Sequence, residues 1–244
     1  MTDAAKRWQR ALNGYSYQVD LTQFADKDQF SGWFNCILGT GNRDETIGFE
    51  DRFRGDAERH IEVWYEVVFW KLYGTKVWRD RHTCKLISDL GDRGTTAADL
   101  WRAGSNFIQC PSKKSFRSFQ RLLWPQSQVI AIAATFPAFL APDRFPMVDT
   151  RVAKWVAANM DQPNSANAGE SQLERPVFPN NKATVLTFSD WPFVESWIRW
   201  CRMMATKLGE ATGVAWRARD VEMAVFHAWG GKGEAHPVIS LPPL

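Results

Sequence analysis

Residues 58–73 constrain the fold most, because after the first turn apolar side chains fill almost every position. Only Glu62, Glu66 and Lys71 interrupt the run of Val, Trp, Tyr and Phe. A helix that is apolar all round belongs in the centre of a domain, so the segment predicts a buried helix that ends at Gly74. Glu62 and Glu66 lie one turn apart, as paired catalytic carboxylates would. Pairing with a neighbouring Arg or Lys is the favoured interpretation, since lone charges are seldom buried.

Helical spacing of apolar residues dominates the rest of the chain, while the alternation typical of half-exposed strands is nearly absent. The predicted class is therefore all-α, with about nine helices in a single unit over residues 1–244. Its length suits either one domain or two closely joined lobes. Capping residues predict three helix starts: Thr95 and Thr96 before residues 97–107, Ser112 before 113–123, and Ser189 before 191–208. Gly209 and Gly230 are predicted helix ends.

Other segments are predicted to interrupt or surround these helices. Residues 40–56 are charged and contain several glycines, which suggests a surface loop. Pro137 is expected to kink or close the apolar segment 129–140. Residues 161–174 predict a polar loop, and Arg217, Arg219 and Asp220 are interpreted as caps and surface pairs at the start of a last helix, residues 219–229.

The chain is rich in aromatic residues, with 13 Trp and 16 Phe. Such rings can stack on nucleobases, but each also buries a large area. We assign roughly three in four of the tryptophans to core packing on that ground.

Positive charge is unevenly distributed along the chain. The net charge is only +3, yet the stretch from Trp101 to Pro142 carries five basic residues and no acidic one. Four of the five, Lys113, Lys114, Arg117 and Arg121, lie on one predicted helix. Such a block suits a surface that follows phosphates, and a solvated helix face is the alternative.

Cysteine spacing and hydropathy exclude several classes. The four cysteines lie far apart, without a Cys-x-x-Cys pair or His at zinc-finger spacing, so no structural metal or cofactor is expected. The first residues lack the apolar core of a signal peptide, and no segment predicts a membrane span. These features predict a cytoplasmic protein with reduced thiols and no membrane partner.

Asp149 is the residue for which the sequence suggests a catalytic role. It follows an apolar run ending in Pro146, Met147 and Val148, and it stands at the head of an amphipathic segment reaching about residue 160. Asp is among the best N-cap residues, so a structural cap explains it fully. A fixed, ionised carboxylate at a helix tip also stabilises positive charge that develops on a sugar.

The segment around Asp149 resembles the Pro-Val-Asp region of the helix-hairpin-helix DNA glycosylases. In that family a hairpin of the form Leu-Pro-Gly-Val-Gly-x-Lys-Thr-Ala leads through an apolar helix to the catalytic Asp. Ungapped alignment over about residues 124–158 sets Ala133 on the family's Ala, Phe139 on a core aromatic, and Asp149 on the Asp. Thr150 and Val152 also match, and Arg151 stands where His is usual.

The resemblance implies a two-lobed helical fold with a helix-hairpin-helix-like segment between the lobes and a motif region at residues 112–160. It implies a duplex DNA partner and excision of a flipped base with Asp149 as the catalyst. Gln126, Ser127 and Gln128 would lie near the DNA backbone, with Lys113, Lys114, Arg117, Arg121 and Arg151 as further DNA contacts.

Two departures from the family pattern qualify this hypothesis. Ser127 and Val129 replace the hairpin glycines that let backbone N–H groups approach a phosphate. Ala131 stands where bifunctional members carry the Schiff-base Lys, so any glycosylase activity should be monofunctional. A non-catalytic module binding DNA or a protein remains the alternative. An enzyme acting on free nucleosides is less favoured, because it would leave the basic block without a role.

Overall fold

The computed structural model describes residues 1–20, 39–159, 186–230 and 241. Over these residues it is predominantly helical with one two-stranded antiparallel sheet, which confirms the all-α class. The predicted polar loop at residues 161–174 lies outside the described residues. Within the described part, no helix combines the length and apolar content needed to cross a bilayer.

The elements follow in chain order. The strands are β1 (Ser16–Asp20) and β2 (Gly39–Asn42). The α-helices are α1 (Asp3–Asn13), α2 (Arg43–Asp56), α3 (Glu62–Lys71), α4 (Lys76–Asp92), α5 (Ala97–Gln109), α6 (Lys113–Leu123), α7 (Thr135–Leu140), α8 (Thr150–Asn159), α9 (Trp191–Thr212) and α10 (Ala218–Trp229). A short 3-10 turn, Phe188–Asp190, precedes α9.

The chain divides into two compact units that alternate along the sequence. Unit 1 consists of Met1–Tyr15, Gln128–Ala134 and Ala141–Leu244, and its described helices are α1, α8, α9 and α10. Unit 2 consists of Ser16–Ser127 and Thr135–Leu140, with the sheet and helices α2 to α7. Each unit has its own aromatic core.

Helix α3 forms the centre of unit 2, as the sequence predicted. Every residue from Val63 to Trp70 is buried, although the helix ends at Lys71, three residues before Gly74. The Trp64 ring lies 4.8 Å from the Phe136 ring, centroid to centroid. The buried carboxylate of Glu66 pairs with Arg52, which confirms that this glutamate is satisfied by a neighbouring cation.

The prediction of a loop at residues 40–56 is wrong, because this stretch forms β2 and α2. Asn42 caps α2 by accepting from the Glu45 N–H at 2.9 Å, and the Glu45 side chain accepts from the Asn42 N–H at 3.2 Å. The glycines that suggested a loop, Gly48 and Gly55, lie on the exposed side, where a Cβ would meet nothing within 4 Å.

Stacked indoles form the core of unit 1. The Trp197 and Trp200 rings of α9 are stacked 5.3 Å apart, and Trp200 also contacts Trp8 of α1 and Trp155 of α8. Nine of the twelve tryptophans in the described residues are buried, which confirms the proportion assigned to packing.

Other predicted helix boundaries also differ from the structure. Helix α9 continues past Gly209 and ends at Gly213, whose φ of 73° requires the left-handed conformation that glycine adopts readily. Pro137 sits in the first turn of α7, where its missing N–H costs nothing, so it neither kinks nor closes a helix. Thr187, rather than Ser189, accepts from the backbone at the turn before α9.

The interpretation of Arg219 and Asp220 as surface groups is wrong. Both are fully buried at the start of α10, where Arg219 pairs with the equally buried Glu222. Arg217 donates from Nη2 to Asp220 Oδ1 at 2.9 Å, so these two residues form a pair at the helix start. The predicted end of the last helix is confirmed at Gly230, which has a φ of 88°.

Candidate functional site

Residues 141–148 lead to Asp149, and two helices of unit 1 hold this loop. The Pro142 carbonyl accepts from the Arg219 N–H at 3.0 Å. The Met147 carbonyl accepts from Trp197 Nε1, also at 3.0 Å. Because both donors belong to buried core residues, the position of Asp149 is fixed by the packing of α9 and α10.

Asp149 caps α8, as the sequence predicted. Its Oδ1 accepts from the backbone N–H groups of Arg151 at 2.8 Å and Val152 at 3.0 Å. Its carbonyl accepts from the Ala153 N–H at 3.1 Å. Asp149 is only half-buried, so the carboxylate is held by the helix terminus without being sealed in the core. Such an arrangement can present a fixed negative charge to a ligand.

Arg151, the neighbouring predicted DNA contact, packs within unit 1. Its guanidinium carbon lies 4.2 Å from the centroid of the Phe226 ring on α10, a cation–π contact. Arg151 is half-buried. Its position on Phe226 therefore gives this side chain a structural role beside the one predicted.

The basic block forms one exposed face of α6 in unit 2. Lys113, Lys114, Arg117 and Arg121 are all exposed. The opposite face buries Phe116, Phe119 and Leu123 among others. Ser112 caps the helix by accepting from the Ser115 N–H at 3.1 Å, and both predicted ends of the helix are confirmed. Positions 113, 117 and 121 are each four apart, so their side chains follow one line along the helix.

A tight turn follows α6 where the resemblance places a hairpin. The Ser127 N–H donates to the Trp124 carbonyl at 3.1 Å, and Gln120 Nε2 donates to the Ser127 carbonyl at 3.2 Å. The backbone of Ser127 is thus used inside the turn. Gln126 and Gln128 are exposed, so their amides can reach a ligand.

Arg93 is a cation beside α6 that the sequence analysis did not identify. It donates from Nη1 to the Arg121 carbonyl at 3.4 Å and from Nη2 to the Leu123 carbonyl at 3.3 Å. It therefore covers the C-terminal end of α6, where a positive charge is favourable. The sequence signal for Arg93 was its position directly before Gly94. The φ of 61° at Gly94 marks the end of α4.

The predicted site residues fall into two groups. Asp149, Arg151 and Gln128 belong to unit 1. The four cations of α6, with Gln126 and Ser127, belong to unit 2. The unit 2 residues share one helix and the turn that follows it.

Histidines and cysteines do not cluster in the described residues, where no three His, Cys, Asp or Glu side chains are arranged to hold a metal ion. His82 stacks on Trp78 at 5.6 Å, and His60 is exposed elsewhere in unit 2. Burial raises the pKa of the Cys201 thiol well above its usual value. Gly39, Thr40, Gly41 and Asn42 form β2, and Asn42 also caps α2.

The partly exposed Asp149 carboxylate and the basic face of α6 are thus the two candidate functional elements, one in each unit. Both are positioned by ordinary helix capping and core packing. No protein-family model, curated protein or solved structure matches this chain.

Proposed function

We propose that this protein is a monofunctional DNA N-glycosylase with a helix-hairpin-helix-like arrangement of its lobes. In this function Asp149 acts on a damaged or modified base that has been flipped out of the duplex. The single observation that carries the proposal is the Asp149 carboxylate, held by two backbone N–H groups at the start of α8 yet only half-buried. The resemblance over residues 124–158 supplies the reaction class.

The chemistry is a hydrolysis at C1′ of the deoxyribose. The bond from C1′ to the base nitrogen breaks, and the base leaves with the bonding electrons and takes up a proton. A water oxygen bonds to C1′, and Asp149 orients that water and accepts its proton. The sugar gains positive charge as the base departs, and a fixed carboxylate stabilises it. Ala131 offers no amine for a Schiff base, so the product is an intact abasic site.

The exposed face of α6 provides the DNA contact. Lys113, Lys114, Arg117 and Arg121 carry four positive charges without an acidic residue on the same helix. Neutralising phosphates releases counterions, which gives sequence-independent affinity that depends steeply on salt. Gln126 and Gln128 in the following turn can add hydrogen bonds to the backbone of the DNA.

The substitution Asp149→Asn tests the catalytic role. Asn caps a helix about as well as Asp, so the fold should be retained while the charge is lost. We expect base release to fall at least about 100-fold, the lower range for a positioned acid or base. The measurement is incubation with duplexes carrying a panel of damaged and modified bases, followed by alkali to cleave abasic sites.

Asp99→Asn is the matched control for that experiment. Asp99 also supports a helix start, accepting from the Thr96 N–H at 3.1 Å, but it lies in unit 2 and is not a candidate catalyst. It should release bases at the wild-type rate. Base release that survives in Asp149→Asn would show that Asp149 is not the catalyst.

A non-catalytic DNA-binding module is the second candidate. It is favoured by the turn at residues 124–127, where the Ser127 N–H is already bonded to the Trp124 carbonyl and the hairpin glycines are replaced. Wild-type protein that binds duplex DNA with a steep salt dependence, yet releases no base from the whole panel, would select this function over the enzyme.

A further inference from the structure

An open cleft in unit 1 lies apart from the residues discussed so far. It encloses about 650 Å³ and is lined by the loop residues Asp143 and Arg144, by one side of α9, and by Ala215 and Trp216. Three arginines face it, namely Arg144, Arg199 and Arg202. Asp143 and Glu210 are its two acidic lining residues.

The three arginines outnumber the two acidic residues of the cleft, Asp143 and Glu210. Arg199 and Arg202 are exposed, lie three residues apart on α9, and form no ion pair within the described residues. The Arg144 guanidinium carbon lies 5.5 Å from the centroid of the Phe145 ring, and this side chain forms no ion pair within the part of the chain that the structure describes. Like charges that line one cavity repel each other, and a bound anion relieves that repulsion. The planar guanidinium group can donate two parallel N–H bonds to two oxygens of a phosphate.

One wall of the cleft is rigid and aromatic. Trp216 is almost buried, and its Nε1 donates to Thr212 Oγ1 at 3.2 Å, which fixes the indole. A sugar or base attached to a phosphate can pack against such a ring. A cleft lined by both arginines and a fixed indole therefore suits a nucleotide unit better than a bare inorganic anion.

We infer that this cleft binds the phosphate group of a nucleotide through Arg144, Arg199 and Arg202. The two sources of such a group are a phosphodiester in a nucleic-acid strand and a free nucleotide. Arg144 and Asp149 are five residues apart, so their Cα atoms are separated by at most about 18 Å. A strand with its sugar at Asp149 would present a phosphate to the cleft within about five nucleotides, at roughly 3.4 Å of axis per nucleotide.

Charge reversal at α9, in the double variant R199E/R202E, tests this inference on the full chain. Its matched control is R7E/R10E, which reverses two exposed arginines at the same three-residue spacing on α1 of the same unit. The probes are a short fluorescein-labelled duplex, the corresponding single strand, deoxyadenosine monophosphate and inorganic phosphate. Anisotropy and titration calorimetry measure their affinities at low salt.

We expect the cleft variant to bind at least one probe about 10-fold or more weakly than the control variant does. Loss confined to the oligonucleotides identifies a strand phosphodiester as the ligand, and loss of the monophosphate identifies a free nucleotide. Loss confined to inorganic phosphate overturns the inference that the ligand is a nucleotide. Equal binding by the two variants, or no binding of any probe by the wild type, overturns the inference.

Two further measurements keep these outcomes interpretable. The neutral variant R199Q/R202Q should show a smaller loss of the same kind, and circular dichroism should show wild-type helix content in all variants. A negative result for the cleft can be distinguished from a negative result for the proposed glycosylase. Asp149→Asn tests the glycosylase through base release, whereas R199E/R202E tests the cleft through its affinity for the four probes.

Discussion

Helices α6 and α10 both begin with charged side chains, but the two regions use those charges in opposite ways. In α6 the cations Lys113, Lys114, Arg117 and Arg121 are exposed, and the helix contains no acidic residue. In α10 Arg219, Asp220 and Glu222 are fully buried, and the arginine and glutamate form an ion pair. The first helix exposes its charge to solvent, whereas the second neutralises it internally.

The difference shows that a charge's role depends on the residues around it. In α6 the cations lie on one face, which is exposed to water, and Phe116 and Phe119 lie on the other face, which is apolar. Helix α10 has apolar residues on all sides, so its charged residues are carried into the core. A buried charge must find a partner there, because an unpaired one is very costly.

The largest expected effect comes from breaking the buried pair of α10. Arg219→Met leaves the Glu222 carboxylate buried without its partner, and we expect a loss of about 3–5 kcal/mol in the free energy of unfolding. Arg121→Met on α6 makes the same chemical change at an exposed site and should cost under about 0.5 kcal/mol. Urea unfolding measures both.

The double variant R219M/E222L sharpens that test. Replacing a buried pair by apolar residues is often neutral, so most of the lost stability should return. A stability for Arg219→Met equal to that of Arg121→Met would show that the pair is not buried in solution.

An intermediate effect is expected from neutralising the exposed face of α6. In K113Q/K114Q/R121Q the stability should hardly change, while affinity for duplex DNA should fall roughly 100-fold at low salt. The slope of log affinity against log salt should fall by about 3, near 1 for each cation removed.

The matched control for α6 is K6Q/R7Q/R10Q, which removes three exposed cations from α1. It changes the net charge equally, so any general electrostatic effect is the same in both variants. Identical salt slopes in the two variants would contradict a specific role for α6.

The smallest expected effect concerns the titratable side chain of His82, which is partly buried. Partial burial, together with the positive charges of Arg81 and Lys85, lowers the pKa of His82 below its usual value. The unfolded chain therefore takes up this proton more readily than the folded one, and stability should decrease as pH falls below about 6.5.

The variant H82Q should remove that part of the pH dependence, and thermal melts from about pH 7.5 to 5 measure it. H60Q serves as the control, because His60 is exposed in the same unit. An unchanged pH profile in H82Q would show that other groups carry the dependence.

Local signals made part of this fold predictable. Thr96 and Ser112 mark helix starts because a hydroxyl that accepts from the N–H three residues later acts within one turn. Asp149 was predicted as a cap for the same reason. The central position of α3 followed from its composition, since residues apolar on every side leave no alternative.

The remaining features depend on contacts between distant residues. Helix α2 was not predicted because its capping box lies among many other charged residues. The role of Phe49 and Phe53 is evident only from their packing against the rings of α3 and α7. The cleft arginines were missed because Arg144 is over fifty residues from Arg199 and Arg202. No periodicity or spacing links positions so far apart.

The anchoring of residues 141–148 implies that Asp149 has little motion of its own. Carbonyls of this loop accept hydrogen bonds from the amides of Ala218 and Arg219 and from the indole of Trp197. Displacing the loop would therefore break hydrogen bonds in the interior. Amide protons at Ala218 and Arg219 should then exchange with deuterium only as fast as unit 1 melts. The segment leading to the carboxylate is, in this sense, part of the scaffold rather than a gate.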